Sequence, residues 1–202
     1  MSKKQTAAIV APPLLVAFMY PVFNTLVDAL AVDRLAWFLG LLIYWMLWGL
    51  IFPLILIGKS TILRLIRPQS PDRRKVLLTA VPIVLALVVK LLPGMGSYEK
   101  ESIWLALLIF LTAFGNGFFE ELLWRGVYTS LFPDNILLRM IWPCIWFALW
   151  HYVPVSALNG NVLGMIIGSG LMGFYLSFLV KRTGSLSWAI IAHTIGGLIM
   201  VV

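Results

Sequence analysis

Gly117-Phe118-Phe119-Glu120-Glu121-Leu122-Leu123-Trp124-Arg125-Gly126 sets two adjacent carboxylates and a guanidinium inside an apolar run that otherwise reads as a membrane span. An ionisable group at the centre of a bilayer costs about 2.5–3.5 kcal/mol on insertion scales, so these three side chains have to face protein or enclosed water. Helical spacing supplies one arrangement. Glu121 and Arg125 stand four apart, acid before base, on one face. Glu120 points roughly 100° away from Glu121. The two carboxylates therefore need not share a partner: one is held by the arginine and the other is left for chemistry.

Composition puts the whole chain in the same solvent. Of 202 residues, 61% are hydrophobic and 11% charged, with a mean hydropathy of +0.99. Soluble domains run near 45–50% apolar and about 25% charged. A soluble core cannot consume this much apolar surface, whereas a lipid bilayer can. The net charge of +7 does not indicate nucleic acid, because the basic residues fall in the links between apolar runs. Cys144 is the only cysteine, so no internal disulfide forms. Met1-Ser2-Lys3-Lys4 followed by an apolar run lacks a clear small-residue cleavage site and reads as the start of a first span.

About seven spans follow from the apolar runs: 7–27, 35–57, 76–92, a fourth from Ile103 to before Pro133, 138–158, 162–180 and 186–202. The expected fold is all-α, a polytopic transmembrane helix bundle forming one domain over 1–202. Pro12, Pro13 and Pro21 should bend the first span, and Pro143 and Pro154 should break the fifth. Gly164 and Gly168 give a spacing for close helix approach. A link at 93–102 carries Glu99, Lys100 and Glu101. Alternate links are basic: Lys3 and Lys4, the six Lys and Arg residues of 58–75, Arg139, and Lys181 with Arg182 fall on one side. Arg34 and Lys100 fall on the other, each beside acids. The excess places the N-terminus in the cytoplasm and the C-terminus on the opposite side, in what is expected to be a prokaryotic cell membrane.

The chain has two histidines, His151 and His193, and both fall inside late spans. Two histidines on different spans and two glutamates on a third point to one shared polar site, since buried charge needs partners and few others exist. His151 meets Glu120 only if the fifth span starts after about residue 138 or breaks at Pro143, and the break is what is expected. Asn116, one turn before Glu120, is better read as bonding across to another helix, and the nine tryptophans as interfacial or packing residues. Glutamate plus histidine in a low-dielectric cavity is equipment for activating water: the carboxylate takes a proton from water and returns it to a leaving amine. Glu120, His151 and His193 would also satisfy zinc, although no compact zinc motif such as H-E-x-x-H requires it.

Glu120-Glu121-x-x-x-Arg125, then Phe147-x-x-x-His151, then His193 after Thr183-Gly184-Ser185-Leu186, resembles the CPBP family, the CAAX proteases and bacteriocin-processing (Abi) enzymes that include the Rce1-type prenyl endopeptidases. The three elements occur in family order over about 103–202. The resemblance implies an intramembrane endopeptidase whose core lies in the last four spans, with 1–102 forming peripheral spans. It implies Glu120 and His151 as the water-activating pair, Glu121 and Arg125 as supports, and His193 in the oxyanion hole. It also implies a membrane-associated peptide or protein as substrate and no obligatory cofactor. One position departs from the pattern. The family's third motif reads H-x-x-x-N or H-x-x-x-D, whereas the fourth residue after His193 is Gly197. An absent oxyanion donor costs about 2.7–4 kcal/mol. The alternative is a non-catalytic relative acting in immunity or as a scaffold. One polar cluster and no inverted repeat set a transporter aside.

Overall fold

The computed structural model describes residues 1–30, 32–91 and 103–201, with the side chains of Leu105 and Val201 left aside; the link at 93–102 lies outside the described residues. All regular structure there is helical. Helix α1 (Lys3–Ala29) opens on a reciprocal cap, in which Gln5 N–H donates to the Ser2 hydroxyl at 3.2 Å and Ser2 N–H to Gln5 Oε1 at 2.8 Å. It runs unbroken through Pro12, Pro13 and Pro21. Helix α2 (Asp33–Leu65) contains a wide π turn at Trp45–Ile51 and bends at Gly58, whose φ of 76° is open to glycine. That bend falls where the apolar run was expected to end. Helix α3 (Arg73–Lys90) is capped by Asp72, whose carboxylate accepts the Lys75 N–H at 2.9 Å.

Helix α4 begins at Ile103–Gly115 and continues through π turns at Asn116–Glu120 and Leu122–Val127 to Tyr128–Leu131. Helix α5 starts with a further π turn, Leu137–Ile141, runs on as Trp142–Trp150, turns at His151 and ends in the short Tyr152–Ser156. The break expected at Pro143 is therefore absent. Pro143 sits in the first turn after the wide one, where a missing N–H costs little, and the chain is helical on both sides. The interruption comes at His151 instead. Helix α6 (Val162–Thr183) stops at Gly184, left-handed at φ 69°, and α7 (Leu186–Val201) closes the chain.

Four of these helices are long and apolar enough to cross a membrane: Lys3–Ala29, Asp33–Leu65, Ala106–Leu131 and Val162–Thr183. Leu186–Met200 is apolar but shorter. Helix α3 carries Arg73, Arg74, Lys75 and Lys90 at its ends, and α5 is divided at His151, which is why their apolar runs do not make long uninterrupted spans.

Two buried clusters hold the bundle. One joins α1, α2, α4 and α5 through Phe23, Tyr44, Trp45, Trp124, Phe147 and Trp150. The other joins α2, α4, α6 and α7 through Ile62, Leu122, Leu176 and Leu186. Side-chain latches bring the basic links together at one end. Gln5 Nε2 donates to the Leu131 carbonyl at 2.9 Å, and Arg139 donates to the Pro133 carbonyl. Arg139 and Lys181 line one small cavity. The Ser185 hydroxyl donates to the Leu65 and Arg67 carbonyls at 3.2 and 3.1 Å. At the other end Tyr20 of α1 stacks on Tyr152, with ring centroids 5.9 Å apart.

Candidate active site

Glu120 and Glu121 lie at the junction of the two π turns of α4. A wide turn spreads more residues around the axis, so neighbouring side chains diverge less than in an α-helix. Both carboxylates consequently reach the same imidazole on α7. His193 Nδ1 is 2.9 Å from Glu121 Oε1 and its Nε2 is 3.7 Å from Glu120 Oε2. The sequence-based expectation that the carboxylates go separate ways thus gives way to a shared partner. The Glu121–Arg125 pair forms as its spacing requires, with Arg125 Nη1 2.8 Å from the same Glu121 Oε1. Glu120, Glu121, Arg125 and His193 are all buried.

Close packing makes these contacts possible. A Cβ at Gly117 would lie 2.9 Å from the Thr194 backbone nitrogen, so glycine is what lets α7 approach α4 beside His193. A Cβ at Gly173 of α6 would lie 3.1 Å from Arg125 Nη2. The guanidinium also stacks over the Phe147 ring, 4.4 Å from its centroid.

The hydrogen bonds fix several protons. A carboxylate oxygen already accepting from Arg125 accepts again from His193, so Nδ1 carries the hydrogen there. His193 Nε2 then faces Glu120 Oε2, an oxygen with no hydrogen-bond partner among the described residues. His151 Nδ1 is 2.7 Å from the Phe147 carbonyl, which only accepts, so Nδ1–H donates and the neutral ring keeps its lone pair on Nε2.

His151 lies within electrostatic reach of Glu120 and His193, but no direct hydrogen bond joins it to Glu120 among the described residues. The two histidine rings flank Phe147 edge-on, at 4.7 Å for His151 and 6.0 Å for His193. The residues named from the sequence are therefore gathered around one phenylalanine, four of them directly linked and His151 one step away. Asn116 bonds across the bundle, accepting the Trp45 indole N–H at 3.0 Å.

One partner escaped the sequence reading. Trp150 Nε1–H donates to Glu120 Oε1 at 3.0 Å. Its signal was general: a tryptophan buried this deeply needs an acceptor for its N–H, and the residue adjoins His151. Gly197 faces α4, where a Cβ would lie 3.6 Å from the Ala113 Cβ. Among the described residues, no group of three or more His, Cys, Asp and Glu side chains is disposed to hold a metal ion.

A helical bundle of membrane-spanning character, with a buried acid–acid–base triplet on one helix facing histidines from two others, defines a class of integral membrane protein with a polar site enclosed by its helices. Residues 102–199 match the family described as type II CAAX prenyl endopeptidase Rce1-like, so this half of the chain is similar to that family. No curated protein matches the chain. No solved structure matches it either.

Proposed function

We propose that the protein is an intramembrane endopeptidase that hydrolyses a peptide bond in a membrane-associated peptide or protein. The observation that carries this reading is the Glu120 carboxylate. Its Oε1 is engaged by Trp150, while its buried Oε2 has no hydrogen-bond partner among the described residues and faces an imidazole. Water placed between Glu120 Oε2 and the lone pair of His151 Nε2 would lose a proton as it attacks the carbonyl carbon. The tetrahedral oxyanion would accept a hydrogen bond from His193 Nε2–H, with Nδ1–H anchored on Glu121. The proton would then pass to the leaving amine as the C–N bond breaks. Glu121 and Arg125 hold His193 and the local field. In this reading 1–202 is one membrane domain, 103–202 supplies the reacting groups, and the N-terminus is cytoplasmic.

Peptidase activity of the purified protein in liposomes, on quenched membrane-anchored C-terminal peptides, tests the proposal. Wild type should cleave, and Glu120→Gln and His151→Ala should each lose cleavage by a factor on the order of 10² or more, as expected for an acid–base group. Insensitivity to chelator supports water activated by glutamate and histidine. Loss with chelator and recovery with zinc moves the chemistry to a metal held by Glu120 and the histidines. A folded wild type that cleaves nothing favours the non-catalytic immunity or scaffold reading, for which Gly197 is the motivating residue.

A further inference from the structure

Glu120 is held from a direction that its own helix and the two histidines do not supply. The Trp150 indole N–H reaches Glu120 Oε1 at 3.0 Å, and Trp150 is fully buried. Its ring is clamped on one face by Tyr44 of α2, stacked at 4.0 Å between centroids with the planes 25° apart. Phe23 of α1 meets it edge-on at 6.1 Å. Tyr44 is itself fixed, since its hydroxyl accepts the Trp124 indole N–H at 2.9 Å. That bond occupies the oxygen as an acceptor and leaves its O–H to donate. Trp124 lies on α4, the helix that carries Glu120, so the contacts close a loop from α4 through α2 and α5 back to α4.

We infer that Trp150 is a positioning residue that holds Glu120 Oε1 so that Oε2 is the oxygen presented to water and His193, and that Tyr44, held by Trp124, fixes Trp150 in place. The inference rests on the proposed peptidase reading and adds α2 to the site. Packing alone does not require it. A ring that only filled space would have no need to direct its N–H at a carboxylate, and the half-buried Trp142 on the same helix has a buried N–H with no hydrogen-bond partner among the described residues. Carboxylates are free to rotate about their last torsion. A hydrogen bond to one oxygen and a stack behind its donor select one rotamer, which is the preorganisation that a general base requires.

Trp150→Phe removes the N–H and keeps an aromatic ring in the stack. The expected result is a fall in kcat of about 10- to 100-fold with KM within about twofold, as for loss of a hydrogen bond to a charged group. Trp142→Phe should leave kcat unchanged. A purely structural role would lower the yield of folded protein and leave the kcat of the folded fraction intact, and that outcome overturns the inference. A second readout does not depend on turnover. In ¹⁵N-indole spectra the Trp150 N–H resonance, assigned by its loss in Trp150→Phe, should move in Glu120→Gln and stay in place in Trp142→Phe. An unmoved resonance overturns the inference whether or not the protein is a peptidase. If Glu120→Gln retains cleavage while the resonance moves, the peptidase mechanism fails and the Trp150–Glu120 contact stands. Tyr44→Phe keeps the stack and removes only the hydroxyl, which covers the case where Trp150→Phe does not fold. A kcat lowered by about 3- to 10-fold is expected for a neutral hydrogen bond, and a kcat within twofold of wild type overturns the role given to Tyr44.

Discussion

His193 and Arg125 meet on a single oxygen: the imidazole Nδ1 lies 2.9 Å and the guanidinium Nη1 2.8 Å from Glu121 Oε1. The salt bridge that spacing foretold within α4 is therefore also the tether of α7. Removing one member of a buried ion pair leaves the other uncompensated, at about 3–5 kcal/mol. Glu121→Gln should lower unfolding stability by that order and abolish cleavage, as read by thermal denaturation in detergent beside the peptidase assay. The double variant Glu121→Leu with Arg125→Met removes both charges, and such replacements are often neutral or stabilising. It should recover most of the stability and none of the activity, because His193 still lacks its anchor. Recovery of both would mean that the pair serves the fold alone.

The approach of α7 to α4 gives a second test. A methyl group at Gly117 would press on the Thr194 side chain and lie 2.9 Å from its backbone nitrogen. Overpacking of this kind costs about 1–3 kcal/mol. Gly117→Ala should therefore destabilise by that amount and push His193 away from both carboxylates, lowering kcat more than the stability loss accounts for. Adding Thr194→Ala should not rescue it, because the backbone contact remains. Rescue by that second change would show that only the hydroxyl obstructs the approach.

What could be read from the sequence divides along physical lines. Apolar runs depend on composition over many residues, and they located α1, α3, α4, α5, α6 and α7 closely, whereas α2 runs on past its expected end at 57 to Leu65. The Glu121–Arg125 bond depends on four-residue spacing within one helix, and it formed. The π turns at Asn116–Glu120 and Leu122–Val127 have no such signature. They were invisible, and they are what turn both carboxylates to His193. Pro143 was over-read, since a proline at the start of a regular helical segment breaks nothing. Trp150 and Tyr44 were under-read because their contacts join helices far apart in the chain. No local pattern encodes such a pairing.

Orientation can be measured directly. The latches at Gln5–Leu131, Ser185–Arg67 and Gln69–Gly184 gather the N-terminus and the links after α2, α4 and α6 at one end. Cys144 is buried, 3.3 Å from the Ser177 hydroxyl, so Cys144→Ser should give a folded background free of thiols. Single cysteines at Ser70, Asp134 and Lys181 should resist a membrane-impermeant maleimide in intact cells and react after permeabilisation. Cysteines at Asp28 and Leu158 should react in intact cells. The reverse pattern would place the basic end outside and overturn the orientation drawn from the charge excess.

Gly197 supplies the sharpest test of whether the site is complete. It stands one turn beyond His193, where a new side chain meets Ala113 Cβ at an ordinary contact distance of 3.6 Å. Asparagine therefore fits with little strain and brings an amide donor to the face of α7 that carries His193. If the chain lacks an oxyanion donor, Gly197→Asn should raise kcat by on the order of 10²-fold, the scale of one such donor. KM should hardly change, because the oxyanion exists only as the bond reorganises. Gly196→Asn is the control: its side chain would enter open space on a different face, so kcat should stay at the wild-type value. A gain at 197 and none at 196 would mean that the missing amide limits a working peptidase. A gain from a wild type with no measurable cleavage would identify a relative that kept Glu120 and both histidines and lost one donor. No gain in an active enzyme would assign the oxyanion to His193 and a backbone N–H, and the glycine would then be a substitution the site tolerates.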